Sequence, residues 1–145
     1  PPGQIIYQPR EQVSLNLGDN VLLTGYDLPT ESLSPGDNLV VTLYWKPISW
    51  MPNDYTVFLH LLDEDGNIEE QVDEQPVAGY YPTHLWVAEE TVQDTHFLPL
   101  PPDLPDGDYY LHIGLYWLET GERLPLVGSD PPTDYVRIGP VYVGD

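Results

Sequence analysis

Prolines recur from one end of this chain to the other and leave little room for helices. The 145 residues include 17 prolines but only two alanines, Ala78 and Ala88. A proline inside a helix removes a backbone hydrogen bond and clashes with the preceding turn, whereas alanine is the best helix former. The chain therefore has to build its core from short extended segments.

Three segments alternate apolar and polar side chains with the period of two that is typical of a half-buried strand. They are residues 39–46, 55–62 and 109–117. Weaker alternation predicts six further strands, at residues 13–17, 21–28, 68–73, 91–98, 122–126 and 135–143. Turn sequences separate the strands, and among them Asp65-Gly66 favours a tight hairpin.

Eight or nine short strands without a long helix predict an all-β fold. The pattern favours an antiparallel two-sheet sandwich of the immunoglobulin or fibronectin type III kind, with an eight-stranded jelly roll as the alternative. We expect residues 1–12 to be a lead-in segment and residues 13–145 to form a single sandwich domain. Because the chain opens with Pro1-Pro2-Gly3 and no initiator methionine, we expect a piece of a longer or processed protein.

The charge of the chain excludes two classes of partner. There are 24 acidic residues against four Lys and Arg, which gives a net charge of −20. Nucleic acids and anionic lipid surfaces are bound by clusters of basic side chains, which this sequence lacks. We therefore expect no nucleic-acid binding and no direct membrane binding by this domain. Self-repulsion of the same charge leads us to expect a monomer.

Signatures of catalytic machinery are missing from the sequence. It contains neither a Gly-x-Ser-x-Gly elbow nor a Gly-x-x-x-x-Gly-Lys phosphate loop. It also has no cysteine, which excludes thiol catalysis and Cys-ligated zinc. We predict that the domain is not an enzyme. The many carboxylates leave a glycan hydrolase as one alternative, which requires two carboxyl groups in one groove.

An acidic turn offers the strongest pattern for a metal. Asp63, Asp65 and Asn67 place oxygen ligands at alternate positions, as calcium-binding loops do. The glycine of this turn, Gly66, comes two positions too early for an EF-hand loop, and Asp-Gly is also what a plain hairpin turn requires. Two interpretations therefore stand: a hairpin turn without a cofactor, and a structural Ca²⁺ site.

Aromatic residues in the predicted loops offer a possible binding surface. A platform on which sugar rings stack can be formed by Trp50, Tyr80, Tyr81 and Trp86. The same four side chains can instead fill the corners of the core, because large aromatic residues bury much surface. The sequence leaves a carbohydrate-binding module and a core role as competing interpretations of these residues.

A second aromatic set is predicted on the outward faces of the strongest strands, beside His60 and His112. If those strands are neighbours in one sheet, they show on one face Tyr44, Phe58, Tyr110 and Tyr116. Such a patch fits stacking against sugars or packing against another domain, but cross-strand pairing within the sheet is the favoured interpretation. Between the first two interpretations, interdomain packing is the preferred one.

A succession of motifs along the chain resembles one known domain. The motifs are Leu-Leu-Thr-Gly-Tyr-Asp-Leu (22–28), Leu-Ser-Pro-Gly-Asp (33–37), Val-Thr-Leu-Tyr-Trp (41–45), Asp-Tyr-Thr-Val-Phe-Leu-His-Leu-Leu-Asp (54–63), Tyr-Pro-Thr (81–83) and Gly-Asp-Tyr-Tyr-Leu-His-Ile-Gly-Leu-Tyr (107–116). They resemble the extracytoplasmic β-sandwich domain that lies C-terminal to the membrane region in bacterial dolichyl-phosphate-mannose protein mannosyltransferase-like proteins, of glycosyltransferase family 39. The similarity spans roughly residues 13–143.

The resemblance implies an accessory role. The catalytic acidic residues of such transferases belong to loops of the membrane region, which this chain lacks, so none is carried over to it. The domain is then a non-catalytic part of a larger envelope-bound protein and lies outside the cytoplasm. Its partner is then the rest of that polypeptide or a glycan. The resemblance leaves three roles open: docking onto the membrane region, contact with a substrate or acceptor glycan, and structural spacing.

Overall fold

A computed structural model describes residues 8–144 of the chain. Within these residues the chain forms eight strands and two short 3₁₀ turns, the turns at Pro76–Gly79 and Thr83–Leu85. The strands are β1 (Glu11–Leu17), β2 (Val21–Asp27), β3 (Asn38–Pro47), β4 (Tyr55–Leu62), β5 (Ile68–Glu74), β6 (Val92–Pro99), β7 (Gly107–Trp117) and β8 (Val136–Val143). The prediction of an all-β fold is confirmed.

The strands pair into two antiparallel sheets of four strands each. Their orders are β1-β2-β3-β6 and β5-β4-β7-β8, and we call them the first and the second sheet. Apart from β1, this order corresponds to strands A-B-E facing strands C′-C-F-G of immunoglobulin-type domains. The chain crosses between the sheets after β3, after β5 and after β6. The predicted antiparallel two-sheet sandwich of the immunoglobulin or fibronectin type III kind is therefore confirmed.

A buried tyrosine near the start of β7 supports the same assignment. Tyr109 is 3% exposed, and its hydroxyl donates a hydrogen bond of 2.6 Å to the carbonyl oxygen of Pro105. A tyrosine that bonds back to the backbone a few residues upstream, at the corner leading into strand F, is a hallmark of immunoglobulin-type domains. The bond fixes the connection between β6 and β7 against the core.

The core lies between the sheets, where the inward side chains of the strongest strands meet. On β3 the predicted inward set is fully buried, and its members are Leu39, Val41, Leu43 and Trp45. From the second sheet the buried members are Val57, Leu59, Leu61, Leu111, Ile113 and Leu115. Tyr55 and Trp117, predicted inward at strand ends, are half-buried. The period of two thus located the core correctly on all three strands.

The strand predicted at residues 122–126 is wrong. This segment makes one isolated bridge to each sheet: Arg123 pairs with Tyr116 of β7, and Leu126 pairs with Leu17 of β1. Because its partners lie in different sheets, the segment cannot continue a ladder with either of them. It crosses the side of the sandwich between β1 and β7 instead.

The lead-in predicted at residues 1–12 overlaps the first strand, since β1 begins at Glu11. Residues 1–7 lie outside the described residues. Pro9 packs against Gly25 of β2, where any side chain on the glycine would collide with the proline ring. The described part of the lead-in is therefore packed on the first sheet, and the predicted domain boundary stays a prediction.

A buried histidine joins the two sheets where the edge strands β5 and β6 meet. The side chain of His96 in β6 has no exposed surface; its Nε2 lies 2.5 Å from Oδ2 of Asp94, and its Nδ1 contacts the carboxylate of Glu74 in β5. The buried Asp94 also accepts hydrogen bonds from the indole of Trp45 (3.1 Å) and from the backbone N–H of Val77 (2.7 Å). Because both ring nitrogens face carboxylates, the imidazole donates from both and is positively charged.

Burial lowers the pKa of His96, but the hydrogen bonds and charges of Asp94 and Glu74 outweigh it and leave the pKa raised. The folded domain therefore holds this proton more tightly than the unfolded chain does. The resulting stabilisation is fully present below the unfolded pKa of about 6.5 and is lost as the pH rises through the folded value.

We predict that the substitution His96→Gln lowers the free energy of unfolding by about 3–5 kcal/mol at pH values below about 6.5, because it leaves the buried Asp94 without its charged partner. The loss shrinks at alkaline pH, where the parent protein has also lost the proton. Urea unfolding of both proteins across this pH range measures the difference. A difference that does not change with pH would contradict the charged state of His96.

Candidate functional site

The outer face of the second sheet carries a groove of about 330 Å³. Side chains of β4, β5 and β7 line it, and the connection between β7 and β8 closes one side. The lining residues are Phe58, His60, Gln71, Asp73, Tyr116, Gly121 and Arg123. We call this the second-sheet groove. Its volume lies at the lower end of the range for ligand pockets in proteins.

The register of the strands brings these side chains together. His60 of β4 lies directly opposite Gln71 of β5, and Phe58 lies opposite Asp73. Side chains that are opposite each other on one sheet face lie about 5 Å apart. The amide and the carboxylate of β5 therefore flank the two rings of β4.

Phe58 forms the floor of the groove. Its side chain points away from the core, yet the residue is only 1% exposed. The ring lies over Gly114, its partner on β7, where an added Cβ would sit 2.5 Å from the ring. The guanidinium carbon of Arg123 lies 4.1 Å from the ring centroid, within the range of a cation–π contact. Glycine thus makes room for the ring, and arginine covers it.

Hydrogen bonds to carboxylates hold the walls of the groove in place. The hydroxyl of Tyr116 donates to Oδ2 of Asp73 at 2.9 Å. The guanidinium of Arg123 donates to Oδ1 of Asp134 at 3.2 Å. Each bond removes rotational freedom from a side chain that lines the groove, so less entropy is lost when a ligand binds.

A second aromatic cluster lies beside the groove, on β7, the start of β8 and Tyr135, which directly precedes β8. The imidazole of His112 stacks on Tyr135, with ring centroids 3.9 Å apart and planes inclined by 10°. Arg137 lies 4.0 Å from the centroid of the Tyr110 ring and donates a hydrogen bond to Nε2 of His112 at 3.3 Å. The stack separates Arg137 from the second-sheet groove.

Both histidines of this face are kept neutral by their surroundings. Burial lowers the pKa of His60, and the charge of Arg123 lowers it further against the opposing effect of Asp73. Burial also lowers the pKa of His112, followed by the charges of Arg137, His60 and Arg123. A neutral imidazole offers one nitrogen as an acceptor and the other as a donor. His60 therefore offers one hydrogen-bond donor and one acceptor to the groove.

A larger groove of about 480 Å³ lies between the β2–β3 connection and β8. Within the described part of the chain its lining includes three carboxylates, of Glu11, Glu31 and Asp108. The one guanidinium there, of Arg10, is tied to the carbonyl oxygen of Leu28 at 3.2 Å. We place the candidate site in the second-sheet groove, where an amide, a carboxylate, an imidazole and a guanidinium surround one aromatic floor.

The aromatic patch predicted on one face is found in part. His60 and His112 are cross-strand partners, and Tyr110 and Tyr116 lie on the same face. Tyr44 belongs to β3 in the first sheet and therefore lies on the opposite side of the sandwich. Its hydroxyl donates to Oδ2 of Asp27 at 2.7 Å.

The four loop aromatics predicted to form a platform differ in their exposure to solvent. The prediction for Trp86 is wrong, because this residue is 2% exposed and packs in the core against Trp45, with ring centroids 6.5 Å apart. Tyr81 is half-buried and donates a hydrogen bond of 2.5 Å to Glu90. Both of these rings fill the corner of the sandwich.

The other two loop aromatics are open to solvent. Trp50 is 66% exposed and Tyr80 is 87% exposed. The indole N–H of Trp50 donates to the carbonyl oxygen of His84 at 3.0 Å, which fixes its ring on the β5–β6 connection. A ligand-binding role for Trp50 and Tyr80 stays a prediction.

In the turn predicted as a calcium site, both carboxylate oxygens of Asp63 accept hydrogen bonds from groups of the turn itself. Oδ1 of Asp63 accepts hydrogen bonds from the N–H groups of Asp65 (2.9 Å) and Asn67 (2.8 Å), and Oδ2 accepts one from the amide of Asn67 (3.0 Å). These bonds lower the pKa of Asp63, the amide of Asn67 contributing most. Among residues 8–144, no group of three or more His or carboxylate side chains is arranged to hold a metal ion. The geometry is that of a hairpin turn.

Sequence reasoning missed several residues of the groove. Gln71, Asp73, Gly121 and Arg123 were not among the predicted site residues. The one sequence signal for Arg123 is the scarcity of basic residues, of which the chain has four; its contact with the ring of Phe58 appears only in the structure. The pairing of β5 with β4, which brings in Asp73, is a property of the fold.

The fold and the groove define the class of this chain, a β-sandwich domain of the immunoglobulin type with a groove on one outer face. No family model matches the sequence, and no curated protein matches it. Among solved structures the chain is similar to the C-terminal domain of wzt, with a TM-score of 0.57 and 14% identity over 96% of this chain and 81% of that chain. At this identity the likeness concerns the fold. This likeness supports the β-sandwich fold that the resemblance to the mannosyltransferase-like proteins implied, and it does not support the assignment to that family.

None of the helices in the described residues has the length and apolar character needed to cross a membrane.

We predict that Gly114→Ala lowers the free energy of unfolding by about 1–3 kcal/mol, because the new methyl group overlaps the ring of Phe58. Phe58→Leu removes the overlapping ring atoms and is therefore less costly in the Gly114→Ala background than in the parent. A double-mutant cycle in urea measures this coupling. Strictly additive effects of the two substitutions would contradict the stacking.

We predict that Arg123→Gln raises the pKa of His60, because it removes a nearby positive charge and opens the ring to water. The matched control is Arg137→Gln, which raises the pKa of His112 and leaves that of His60 in place. NMR titration of the imidazole protons in the three proteins measures both values. A His60 pKa that is the same in the parent and in Arg123→Gln would show that Arg123 does not shape the groove.

Proposed function

We propose that the chain is a non-catalytic accessory domain that contacts glycans through the second-sheet groove. The observation that carries this proposal is the convergence of four kinds of hydrogen-bonding side chain around aromatic rings. Gln71 and His60 each offer a donor and an acceptor, Asp73 offers acceptors and Arg123 offers donors. Sugars present many hydroxyl groups, which donate and accept, together with apolar C–H faces that pack on rings. The ring available for this packing is that of the half-buried Tyr116, because Arg123 covers Phe58.

The groove is held ready for a ligand before it binds. The floor is fixed by the stacking of Arg123 on Phe58, and one wall is fixed by the bond between Tyr116 and Asp73. Tyr116 is half-buried, so part of its ring is available to a ligand. Pre-ordered polar groups around an apolar surface are the usual composition of small-ligand sites.

The arrangement of ionisable groups supports a binding role over a hydrolytic one. Glycan hydrolysis uses two carboxyl groups facing one bond. Among the described residues that line the groove, Asp73 is the single carboxylate. The histidine with the strongest carboxylate contacts, His96, is fully buried, and both its nitrogens are occupied by Asp94 and Glu74.

We propose further that the domain belongs to a larger envelope-bound protein of the mannosyltransferase-like kind and lies outside the cytoplasm. The succession of motifs at residues 22–28, 54–63 and 107–116 supports this parent. The likeness to a C-terminal domain of another protein supports a terminal accessory module. In such a protein the groove would hold a glycan close to the remainder of the polypeptide.

We predict that the purified domain binds selected glycans on an array and that Tyr116→Ala and Gln71→Ala each weaken this binding about tenfold or more, because each removes ring or hydrogen-bond contacts. Phe97→Ala is the matched control. It removes an aromatic ring that is 59% exposed on the first sheet and is expected to leave binding unchanged.

A second candidate surface is compared in the same screen. The exposure of Trp50 and Tyr80 favours a stacking platform at the end of the sandwich. Binding that is lost in Trp50→Ala or Tyr80→Ala but kept in Tyr116→Ala would move the glycan site to that end. Binding of no glycan by the parent protein would overturn the proposed function and leave docking to its own polypeptide.

A further inference from the structure

We infer that the second-sheet groove selects uncharged sugars and rejects anionic ones, and that Asp73 sets this preference. The inference rests on the proposed function and adds the chemical class of the ligand. It follows from the state of each charged side chain in and around the groove.

The positive charge of the groove is already matched. Arg123 donates to the carboxylate of Asp134 at 3.2 Å, and its guanidinium plane is occupied by the ring of Phe58, 4.1 Å from the guanidinium carbon. An anionic ligand would have to compete with Asp134 for the positive charge of Arg123 and for its Nη1–H group. Arg123 is therefore placed to give single hydrogen bonds to hydroxyl oxygens while its charge stays paired.

The negative charge of the groove is open to the ligand. Asp73 is exposed, and its Oδ2 accepts the hydroxyl of Tyr116. Its Oδ1 accepts no hydrogen bond from any residue in the range 8–144. The neighbouring side-chain amide of Gln71, opposite His60, is likewise without a hydrogen-bond partner in that range. A free carboxylate oxygen accepts hydroxyl groups of a sugar and repels a second carboxylate or a phosphate.

The remaining ionisable groups around the groove do not offset its negative charge. Burial and the charge of Arg123 lower the pKa of His60, so its ring brings no positive charge near neutral pH. The cation of Arg137 lies beyond the stack of His112 on Tyr135 and bonds to His112. Counting Arg123 against Asp73 and Asp134 leaves one negative charge at the groove, within a chain of net charge −20. The electrostatic field of the whole chain and that of the charges at the groove therefore both repel an anionic ligand.

The experiment compares matched neutral and anionic sugars. Oligosaccharides of glucose, mannose and galactose are paired with the corresponding hexuronic acid oligosaccharides, which carry a carboxylate in place of the hydroxymethyl group. Dissociation constants are measured by calorimetry at low and at physiological ionic strength. The proteins are the parent domain, Asp73→Asn, and Arg137→Gln as a charge-changing control outside the groove.

We expect the parent to bind the best neutral sugar about tenfold or more tightly than its uronic acid counterpart. The ratio of the two dissociation constants is expected to be smaller at higher salt. Asp73→Asn keeps a carbonyl acceptor and removes the charge. It is expected to narrow the ratio mainly by improving binding of the uronic acid. Arg137→Gln is expected to leave the ratio within about twofold of the parent, because its charge lies outside the groove.

Equal or tighter binding of the uronic acids by the parent would overturn the inference while leaving glycan binding intact. A ratio that is the same in Asp73→Asn would overturn the role of Asp73. If the parent binds no sugar of either class, the proposed function fails and the inference fails with it.

Discussion

The pairing of β4 with β7 determines both faces of the second sheet at once. On the inner face it sets Leu59 opposite Ile113, which lie in the centre of the core. On the outer face the same register sets Phe58 opposite Gly114, which creates the floor of the groove. A shift of one residue would exchange the faces of the strand, because side chains alternate with a period of two. The burial of the inner set therefore also fixes the position of the groove, so the candidate site and the core depend on the same strand register.

The fold was largely readable from the sequence because its information is local. Alternation of apolar and polar residues marks strands, and Gly and Pro mark turns, so eight of the nine predicted strands are found. The ninth, at residues 122–126, has the alternation of a strand but lacks a single neighbour to pair with. Whether an extended segment joins a ladder depends on what lies beside it, and a period of two carries no information on that. The same limit applies to Tyr44. Alternation correctly predicted that its side chain points away from the core, but Tyr44 lies in the first sheet and not beside the strands of the second.

The groove was predictable only in its β4 and β7 members. His60, Phe58 and Tyr116 follow from alternation, but the exposure of Phe58 was overestimated because its cover comes from Arg123, far along the chain. The pairing of β5 with β4 places Asp73 at the site, and no sequence motif predicts that pairing. Trp86 shows the opposite error: a loop position suggested exposure, whereas the size of the indole favoured burial in the corner of the sandwich. The geometry of the candidate site therefore depends more on contacts between residues distant in the sequence than on local sequence patterns.

The segment that crosses from β7 to β1 has a consequence for how such domains diversify. Arg123 and Gly121, which wall the groove, belong to this connection and not to a ladder of either sheet. Substitutions and length changes in connecting segments cost less stability than changes within strands. Changes in this wall are therefore expected to leave the paired strands beneath it in place. If the groove binds glycans as proposed, this connection is the part of its lining that can change without altering the paired strands of the core.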